Sequence, residues 1–207
     1  MVKNNDYSKE KSVYSAVLIL ENGQFLWGHG IGAEKCSIAE LCFNTSITGY
    51  QEILTDPSYA KQIITFTFPH IGIVGTNEND DESFKSFASG CVISEQINIP
   101  SNWRAKNSLS NWLMDNDLPC ITNIDTRFLT RILSKKGAIK AALCNFGKSE
   151  LNFNDIKKDL REWKGLENID LAKKVSTNKP YSLIESKWDH SKNSFSKKII
   201  NQKSFKI

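Results

Sequence analysis

The sequence predicts a mixed α/β domain of layered sheets with helices on one side, a β/β/α arrangement. Apolar runs of strand length dominate the first half of the chain, whereas helical periodicity alternating with strands appears only in the second half. A chain of 207 residues with 40% hydrophobic content can bury one sizeable core but is too short for two large domains.

A β-hairpin is predicted at the start of the fold. The apolar run Ala16–Leu20 is followed by Asn22-Gly23, which supplies the positive φ angles of a tight turn, and then by Gln24–Gly28. Glycines at positions 28, 30 and 32 lack the GxGxxG spacing of a phosphate-binding loop. We therefore expect them to be backbone bends or bulges.

Three further strands and one short helix are predicted before residue 100. The strands cover Ile38–Ser46, Ile63–Phe68 and Gly90–Ser94. A helix opened by Thr48 or Gly49 ends at Asp56-Pro57, because the residue before proline is pushed out of the helical region. The junction at 44–49 is a candidate site.

The second half alternates helices and strands. Its predicted elements are a helix capped by Ser108, a strand over Pro119–Ile124, a helix capped by Asp125 or Thr126 and ended by Lys135-Lys136-Gly137, a strand over Ala138–Leu143, and an amphipathic helix from Ser149 to Gly165. Helices that follow strands in this order favour one mixed domain.

Composition excludes several classes of protein. Residues 187–207 hold six lysines and one acid and so have a net charge of +5. Because the whole chain has a net charge of +4, residues 1–186 have a net charge of −1. Such a lysine-rich end predicts a solvated linker and no nucleic-acid groove on the body. No apolar run approaches the roughly 20 residues of a membrane span, and residues 1–15 lack signal-peptide features, so a cytoplasmic location is expected.

The cysteines and histidines suggest no complete active site. Five cysteines at irregular spacing (Cys36, Cys42, Cys91, Cys120 and Cys144) contain no CxxC pair and are predicted to be reduced, mostly buried thiols. His29 and His190 have no recognisable partner, and His70 is favoured as a structural histidine. The run Asp80-Asp81-Glu82 favours a solvated loop over a metal site.

Several segments together, however, resemble one family. Residues 43–59, FNTSITGYQEILTDPSY, are similar to the signature of the small subunit of carbamoyl phosphate synthetase. Four more segments follow in the family's order: Pro69-His70-Ile71-Gly72, Ser101-Asn102-Trp103-Arg104, Ile124-Asp125-Thr126-Arg127 with Leu129-Thr130-Arg131, and Lys136-Gly137-Ala138. The chain departs from the family at Ile73, where asparagine is usual, and in the extension formed by its first thirteen residues.

The resemblance implies a fold and a domain organisation. The β/β/α layering is expected to be of the swivelling-domain type. The expected segments are a flexible extension over 1–13, the family's N-terminal domain over 14–148, a helical connecting segment over 149–190, and a basic linker over 191–207 that leads to a missing glutaminase domain.

The resemblance also implies a role in making carbamoyl phosphate from glutamine, bicarbonate and ATP for pyrimidine and arginine synthesis. The family's N-terminal domain docks on the large subunit of this heterodimeric ligase, and ATP and Mg are expected there, with no cofactor in this chain. The glutaminase cysteine of the family lies in a Cys-Leu-Gly-His segment, which these residues lack. The chain alone is therefore expected to be inactive.

The resemblance implies a functional role for a residue only where this sequence matches the family's motif. Ser46 matches the family serine whose hydroxyl helps to hold glutamine, although the residues alone favour a turn serine that bonds its own backbone. Thr45, Thr48 and Gly49 are expected to shape this loop. His70 and Arg104 are candidates for the same face or for the subunit interface.

A different class of function also fits the sequence. The chain could be a catalytically inert interaction module whose basic tail binds an acidic partner, with a steep salt dependence.

Overall fold

Seven strands close into a single barrel in the computed structural model, which describes residues 13–177, 179–181, 188–189, 191–192 and 194–196. The strands are β1 (Ala16–Leu20), β2 (Phe25–Gly32), β3 (Cys36–Asn44), β4 (Gln62–Phe66), β5 (Gly90–Val92), β6 (Pro119–Thr122) and β7 (Ile139–Asn145). They belong to the larger of two compact units, Met1–Leu171.

The strand order around the barrel is β1-β2-β6-β5-β4-β3-β7, and β7 pairs with β1 to close it. Strands β3, β4, β5 and β6 run parallel to one another, while the remaining pairs are antiparallel. The predicted mixed α/β class is confirmed. The swivelling-type layering is not, because one closed sheet stands where separate layers were expected.

Helical segments alternate with these strands and follow β7 along the chain. They are α1 (Tyr50–Thr55), a 3₁₀ helix (Pro57–Tyr59), α2 (Leu109–Asp115), α3 (Thr126–Lys136), α4 (Phe153–Glu162) and α5 (Leu171–Val175). The predicted caps at Ser108 and Asp125 are confirmed, since each side chain accepts a hydrogen bond from a backbone amide in the first turn of its helix. Helix α4 is shorter than predicted, because Asn152 caps it and it ends before Gly165.

The continuous apolar run of β1 is explained by packing on both of its faces. Ala16, Leu18 and Leu20 join one core cluster with residues of neighbouring strands and of α3. Val17 and Ile19 point the other way, into a cluster that contains Leu160 of α4. A strand with both faces buried has no reason to alternate apolar and polar residues.

The turn and the glycines of the first hairpin differ in detail from the prediction. Within the turn, Gly23 has a positive φ angle of 84°, but Asn22 does not. The Asn22 side chain instead accepts a hydrogen bond from the Gln24 amide, at 3.0 Å. Gly28 and Gly30 lie within β2, whereas Gly32, the last residue of the strand, has a φ of 72° and bends the backbone as predicted.

The prediction of five reduced thiols is wrong for two cysteines. Cys36 of β3 and Cys144 of β7 lie directly opposite each other and form a disulfide, while Cys42, Cys91 and Cys120 are free. The antiparallel register brings together two residues that are 108 positions apart, which sequence spacing does not reveal. Burial raises the pKa of Cys42 to about 12, consistent with an inert thiol.

A second unit, Ala172–Ile207, contains two short antiparallel strands, β8 (Trp188–Asp189) and β9 (Ser194–Phe195). Most of the predicted extension at 1–13 and of the predicted linker at 191–207 lies outside the described residues. The domain boundaries at 14–148 and 149–190 stay predictions. Among the described residues, no helix combines the length and the apolar character needed to cross a membrane.

Candidate functional site

The predicted substrate loop connects β3 to α1. Strand β3 ends at Asn44, which pairs with Phe66 of β4 and accepts a hydrogen bond from the Thr67 amide, at 3.1 Å. Residues 45–48 are exposed. Gly49 then adopts φ 78° and ψ 22°, a left-handed conformation that turns the chain into α1 and that glycine reaches without strain.

Ser46 lies on this loop with its side chain towards solvent. Its backbone amide donates to Asn44 Oδ1, at 2.8 Å, so the asparagine closes the turn. No hydrogen bond recorded among the described residues uses the Ser46 hydroxyl. The loop therefore does not need this hydroxyl for its own turn, and the group faces outward.

A cleft of about 260 Å³ lies beside the loop. It is lined by Thr48, Gly49, Tyr50, Gln51, Glu52, Val74, Gly75, Asn77, Asp80, Asn102 and Arg104. Three predicted site residues, Thr48, Gly49 and Arg104, therefore meet at one place. Ser46 and Thr45 precede the cleft on the same loop and are not among its lining residues.

Buried amide contacts hold one wall of the cleft together. The Gln51 side chain, only 3% exposed, donates to the Asn77 carbonyl and to Asp81 Oδ1, and it accepts from the Asn77 amide at 3.0 Å. Both ends of the Gln51 amide are thereby used. These bonds fix α1 against the segment that follows Gly75.

An ion pair forms another part of the wall. Arg104 Nη2 lies 2.7 Å from Asp80 Oδ1, and the two side chains are 28% and 26% exposed. Asp80 also accepts from Asn77 Nδ2, at 2.7 Å. In the loop predicted to be solvated, Asp81 and Glu82 are exposed, whereas Asp80 is partly buried by these contacts. Within the described part of the chain, no group of three metal-ligating side chains is placed to hold an ion.

The cleft modifies the protonation of two of its groups. Burial raises the pKa of the Glu52 carboxyl, and the neighbouring Asp80 and Glu82 carboxylates add to the rise, whereas Arg104 opposes it. Burial also raises the pKa of Tyr50 well above its usual value of 10.0, and its hydroxyl donates to the Gly75 carbonyl. These groups can bind and orient a polar ligand, but the cleft residues include no nucleophile paired with a base.

His70 does not belong to the cleft. Its Nδ1 lies 2.8 Å from Glu95 Oε1, both side chains are about half exposed, and its ring meets Phe68 edge-on. Sequence reasoning missed the contributions of Glu52, Asn77 and Asp80. The sequence contains part of the information needed to find them, because Glu52 lies inside the family signature and polar residues follow Gly75 closely.

These observations describe a mixed α/β domain with an exposed serine loop and a polar cleft beside it. Residues 18–143 match the family described as carbamoyl-phosphate synthase small chain, CPSase domain. The chain belongs to this family. The resemblance found in the sequence is thereby confirmed.

Curated relatives carry the name carbamoyl phosphate synthase small chain. The protein of Zymomonas mobilis is 43% identical over 171 residues, covering 83% of this chain and 46% of the relative. That of Xylella fastidiosa strain 9a5c is 45% identical over 178 residues, covering 86% and 47%. That of Buchnera aphidicola is 45% identical over 180 residues, covering 87% and 46%. The chain spans about half the length of these relatives.

The solved structures that match this chain are too dissimilar to support a conclusion about its fold or function. A match to an aminopeptidase from Aneurinibacillus is 14% identical with a TM-score of 0.37, and it covers 64% of this chain and 30% of that one.

Proposed function

We propose that this chain is the N-terminal part of the small subunit of glutamine-hydrolysing carbamoyl phosphate synthetase, a cytoplasmic ligase component. It docks on the large subunit and contributes Ser46 to the glutamine site of the complete small subunit. The observation that carries the proposal is the 43% to 45% identity to the small chains of several bacteria over most of the chain.

The exposed Ser46 hydroxyl supports the glutamine-binding part of the proposal. A hydroxyl both donates and accepts, so it can meet a zwitterionic amino acid without adding charge to the site. The turn that carries it is closed by Asn44 and not by the serine itself, at 2.8 Å. Thr45, Thr48 and Gly49 shape the loop in this proposal.

The two charged candidates have different parts in the proposal. Arg104 is paired with Asp80 in the wall of the cleft. We assign it a supporting role for the docking face. His70 is paired with Glu95 and does not line the cleft. We assign His70 to the rim of the subunit interface.

The division of labour follows from the chemistry that these residues contain. They include no Cys-Leu-Gly-His segment and no nucleophile–base pair in the cleft. We therefore assign glutamine hydrolysis to a glutaminase domain outside these residues. The ATP and Mg chemistry that feeds pyrimidine and arginine synthesis is assigned to the large subunit. The purified chain alone is expected to release no ammonia from glutamine.

Ser46→Ala in the complete small subunit, assembled with the large subunit, tests the proposal. Loss of a hydrogen bond to a charged ligand weakens binding by about 1.5–3 kcal/mol, so we expect the KM for glutamine to rise roughly tenfold or more. Synthesis driven by ammonia should stay unchanged, because it bypasses the glutamine site. Both rates are measured on the same preparation.

Ser58→Ala is the matched control. Ser58 is also exposed, and its amide donates to the side chain two residues earlier, Asp56, at 2.7 Å. It should leave both rates as they are. Equal loss of the glutamine and ammonia rates in the Ser46 variant would indicate misfolding and contradict a glutamine-specific role.

Capture on the immobilised large subunit separates the proposal from the inert interaction module. We expect the chain to bind the large subunit and to keep much of that binding as salt is raised. Binding only to polyanions, with a steep loss in salt, would favour the module.

A further inference from the structure

The side chains of Asn44 and Tyr59 connect the serine loop to the protein core. Ser46 N donates to Asn44 Oδ1 at 2.8 Å, and Asn44 Nδ2 donates to the Tyr59 hydroxyl at 2.9 Å. The three residues thus form one chain of hydrogen bonds. It runs from the backbone of the loop to the hydroxyl of Tyr59 in the 3₁₀ helix.

Only one orientation of the Asn44 amide satisfies both contacts. A backbone N–H can only donate, so the atom that faces Ser46 N must be the amide oxygen. The NH₂ group then faces Tyr59, whose hydroxyl accepts. If Tyr59 lost this oxygen, the part-buried NH₂ group would lose its partner on that side, a loss that costs free energy.

Both ends of the connection are held in place. Asn44 and Phe66 form the last residue pair of the β3–β4 ladder. The backbone carbonyl of Asn44 also accepts a hydrogen bond from Thr67 N at 3.1 Å. Tyr59 ends the 3₁₀ helix that Asp56 caps, and its ring packs on the core cluster that contains Phe66. The hydroxyl therefore projects from a rigid support.

The loop itself has few other restraints. Residues 45–48 are exposed, and the start of α1 at Gly49 has no side-chain cap. A loop of this kind relies on its few fixed contacts to hold one conformation. The bond from Ser46 N to Asn44 is such a contact, and it acts on the residue whose hydroxyl is proposed to meet glutamine.

We propose that Asn44 and Tyr59 are positioning residues for glutamine, which act by fixing the backbone of Ser46. This inference rests on the proposed role of Ser46. Neither side chain needs to touch the substrate. Their contribution is to hold the Ser46 hydroxyl in a binding geometry before glutamine arrives, which spares the ligand the cost of ordering the loop.

Tyr59→Phe is the sharpest test, because it removes one oxygen and keeps the ring that packs on the core. In the complete small subunit with its large subunit, we expect the KM for glutamine to rise about three- to tenfold, as for the loss of one hydrogen bond. The rate with ammonia should not change. Tyr14→Phe is the control, since Tyr14 is also a partly buried tyrosine, and its ring stacks on Trp27 of β2, outside this loop.

A second measurement needs only the 207-residue chain. Amide hydrogen exchange should become faster at Ser46 in Tyr59→Phe, while exchange at Leu41 in β3 keeps its wild-type rate. A merely structural role of Tyr59 would lower protection across β3 and β4 together. An unchanged Ser46 amide in Tyr59→Phe overturns the inference.

The kinetic results distinguish the positioning role of Asn44 and Tyr59 from the proposed glutamine contact of Ser46. If Ser46→Ala raises the KM for glutamine and Tyr59→Phe does not, the positioning role is wrong and the substrate role of Ser46 stands. If Ser46→Ala itself has no effect, the proposed glutamine contact fails. Equal loss of glutamine and ammonia rates in Tyr59→Phe also overturns the positioning role.

Discussion

Glu52 is a carboxyl group of the cleft whose protonation is changed by its surroundings. Burial raises its pKa above the ordinary 4.5, the Asp80 and Glu82 carboxylates add to the rise, and Arg104 only partly offsets it. The folded state therefore holds this proton more tightly than the unfolded chain does. Its contribution to stability is fully present below pH 4.5 and is lost as the pH rises through the raised pKa.

Replacing Glu52 by Gln should remove this pH-dependent loss. Glutamine resembles the protonated carboxyl, so we expect Glu52→Gln to be more stable than the wild type at pH 7.5. The gain should stay under about 1 kcal/mol, because a half-exposed group is screened by solvent. It should shrink towards zero below pH 4.5. Urea unfolding at both pH values measures the difference.

Glu78→Gln serves as the charge control for that experiment, because Glu78 is exposed and does not line the cleft. It removes the same charge without the burial. A stabilisation at pH 7.5 of equal size in both variants would attribute the effect to net charge and contradict the role of burial at Glu52.

Single residues show where the sequence is informative and where it is not. The caps at Ser108 and Asp125 could be predicted, because a cap acts on amides within its own first turn. The need for a glycine at position 30 could not be predicted from the sequence. A Cβ there would lie 1.8 Å from Asn145 Oδ1, and the Asn145 amide donates to the carbonyls of residues 31–33. That contact joins strands more than a hundred positions apart.

At the scale of elements, strands β3 and β7 are joined covalently as well as by hydrogen bonds. Cys36 and Cys144 occupy opposite positions of the antiparallel pair, and the disulfide closes a loop with a separation of 108 residues. Closing a loop of this size lowers the entropy of the unfolded chain and is worth about 2–5 kcal/mol. The sheet should therefore be more stable oxidised than reduced.

Thiol titration tests this pairing directly. Protein prepared without reductant and unfolded in urea should show three reactive thiols, those of Cys42, Cys91 and Cys120, and the reduced protein should show five. The oxidised form should also unfold at a higher urea concentration. Five thiols in the untreated protein would contradict the disulfide and would support the reduced cysteines that the sequence predicts.

Most elements could be predicted from the sequence, but their arrangement could not. The β1–β2 hairpin follows from local patterning and a turn, and α3 follows from a cap and a helical stripe. Barrel closure depends on β7 lying between β1 and β3, a pairing of distant segments that no local pattern specifies. The expected layers therefore became one closed sheet.

At the scale of the whole molecule, the family could be predicted although the cleft could not. Five motifs identify the family because they occur together in the family's order, although one of them alone could arise by chance, and residues 18–143 match the family model. The cleft forms from three separate segments, around Gly49, Gly75 and Arg104, that meet only after folding. Thr48, Gly49 and Arg104 were singled out as candidates, but their meeting in one cleft needed the structure.

Large apolar side chains stand exposed next to this cleft. Ile47 adjoins Thr48 and is 62% exposed, and Trp103 adjoins Arg104 and is 77% exposed. Aromatic residues are enriched among those that dominate binding energy at protein interfaces, usually within a polar rim. The cleft and these two side chains therefore form the surface that we propose to meet the large subunit.

Trp103→Ala should weaken this docking more than the loss of any other exposed aromatic side chain of the domain. If Trp103 is an anchor, its removal should lower the affinity for the large subunit by about thirtyfold or more, since anchors of this kind contribute about 2 kcal/mol or more. Phe84→Ala is the control, because Phe84 is 90% exposed and does not line the cleft. Calorimetry of each variant against the large subunit measures the difference, with unfolding curves to verify the fold. Equal affinities for the two variants would place the interface elsewhere on the barrel.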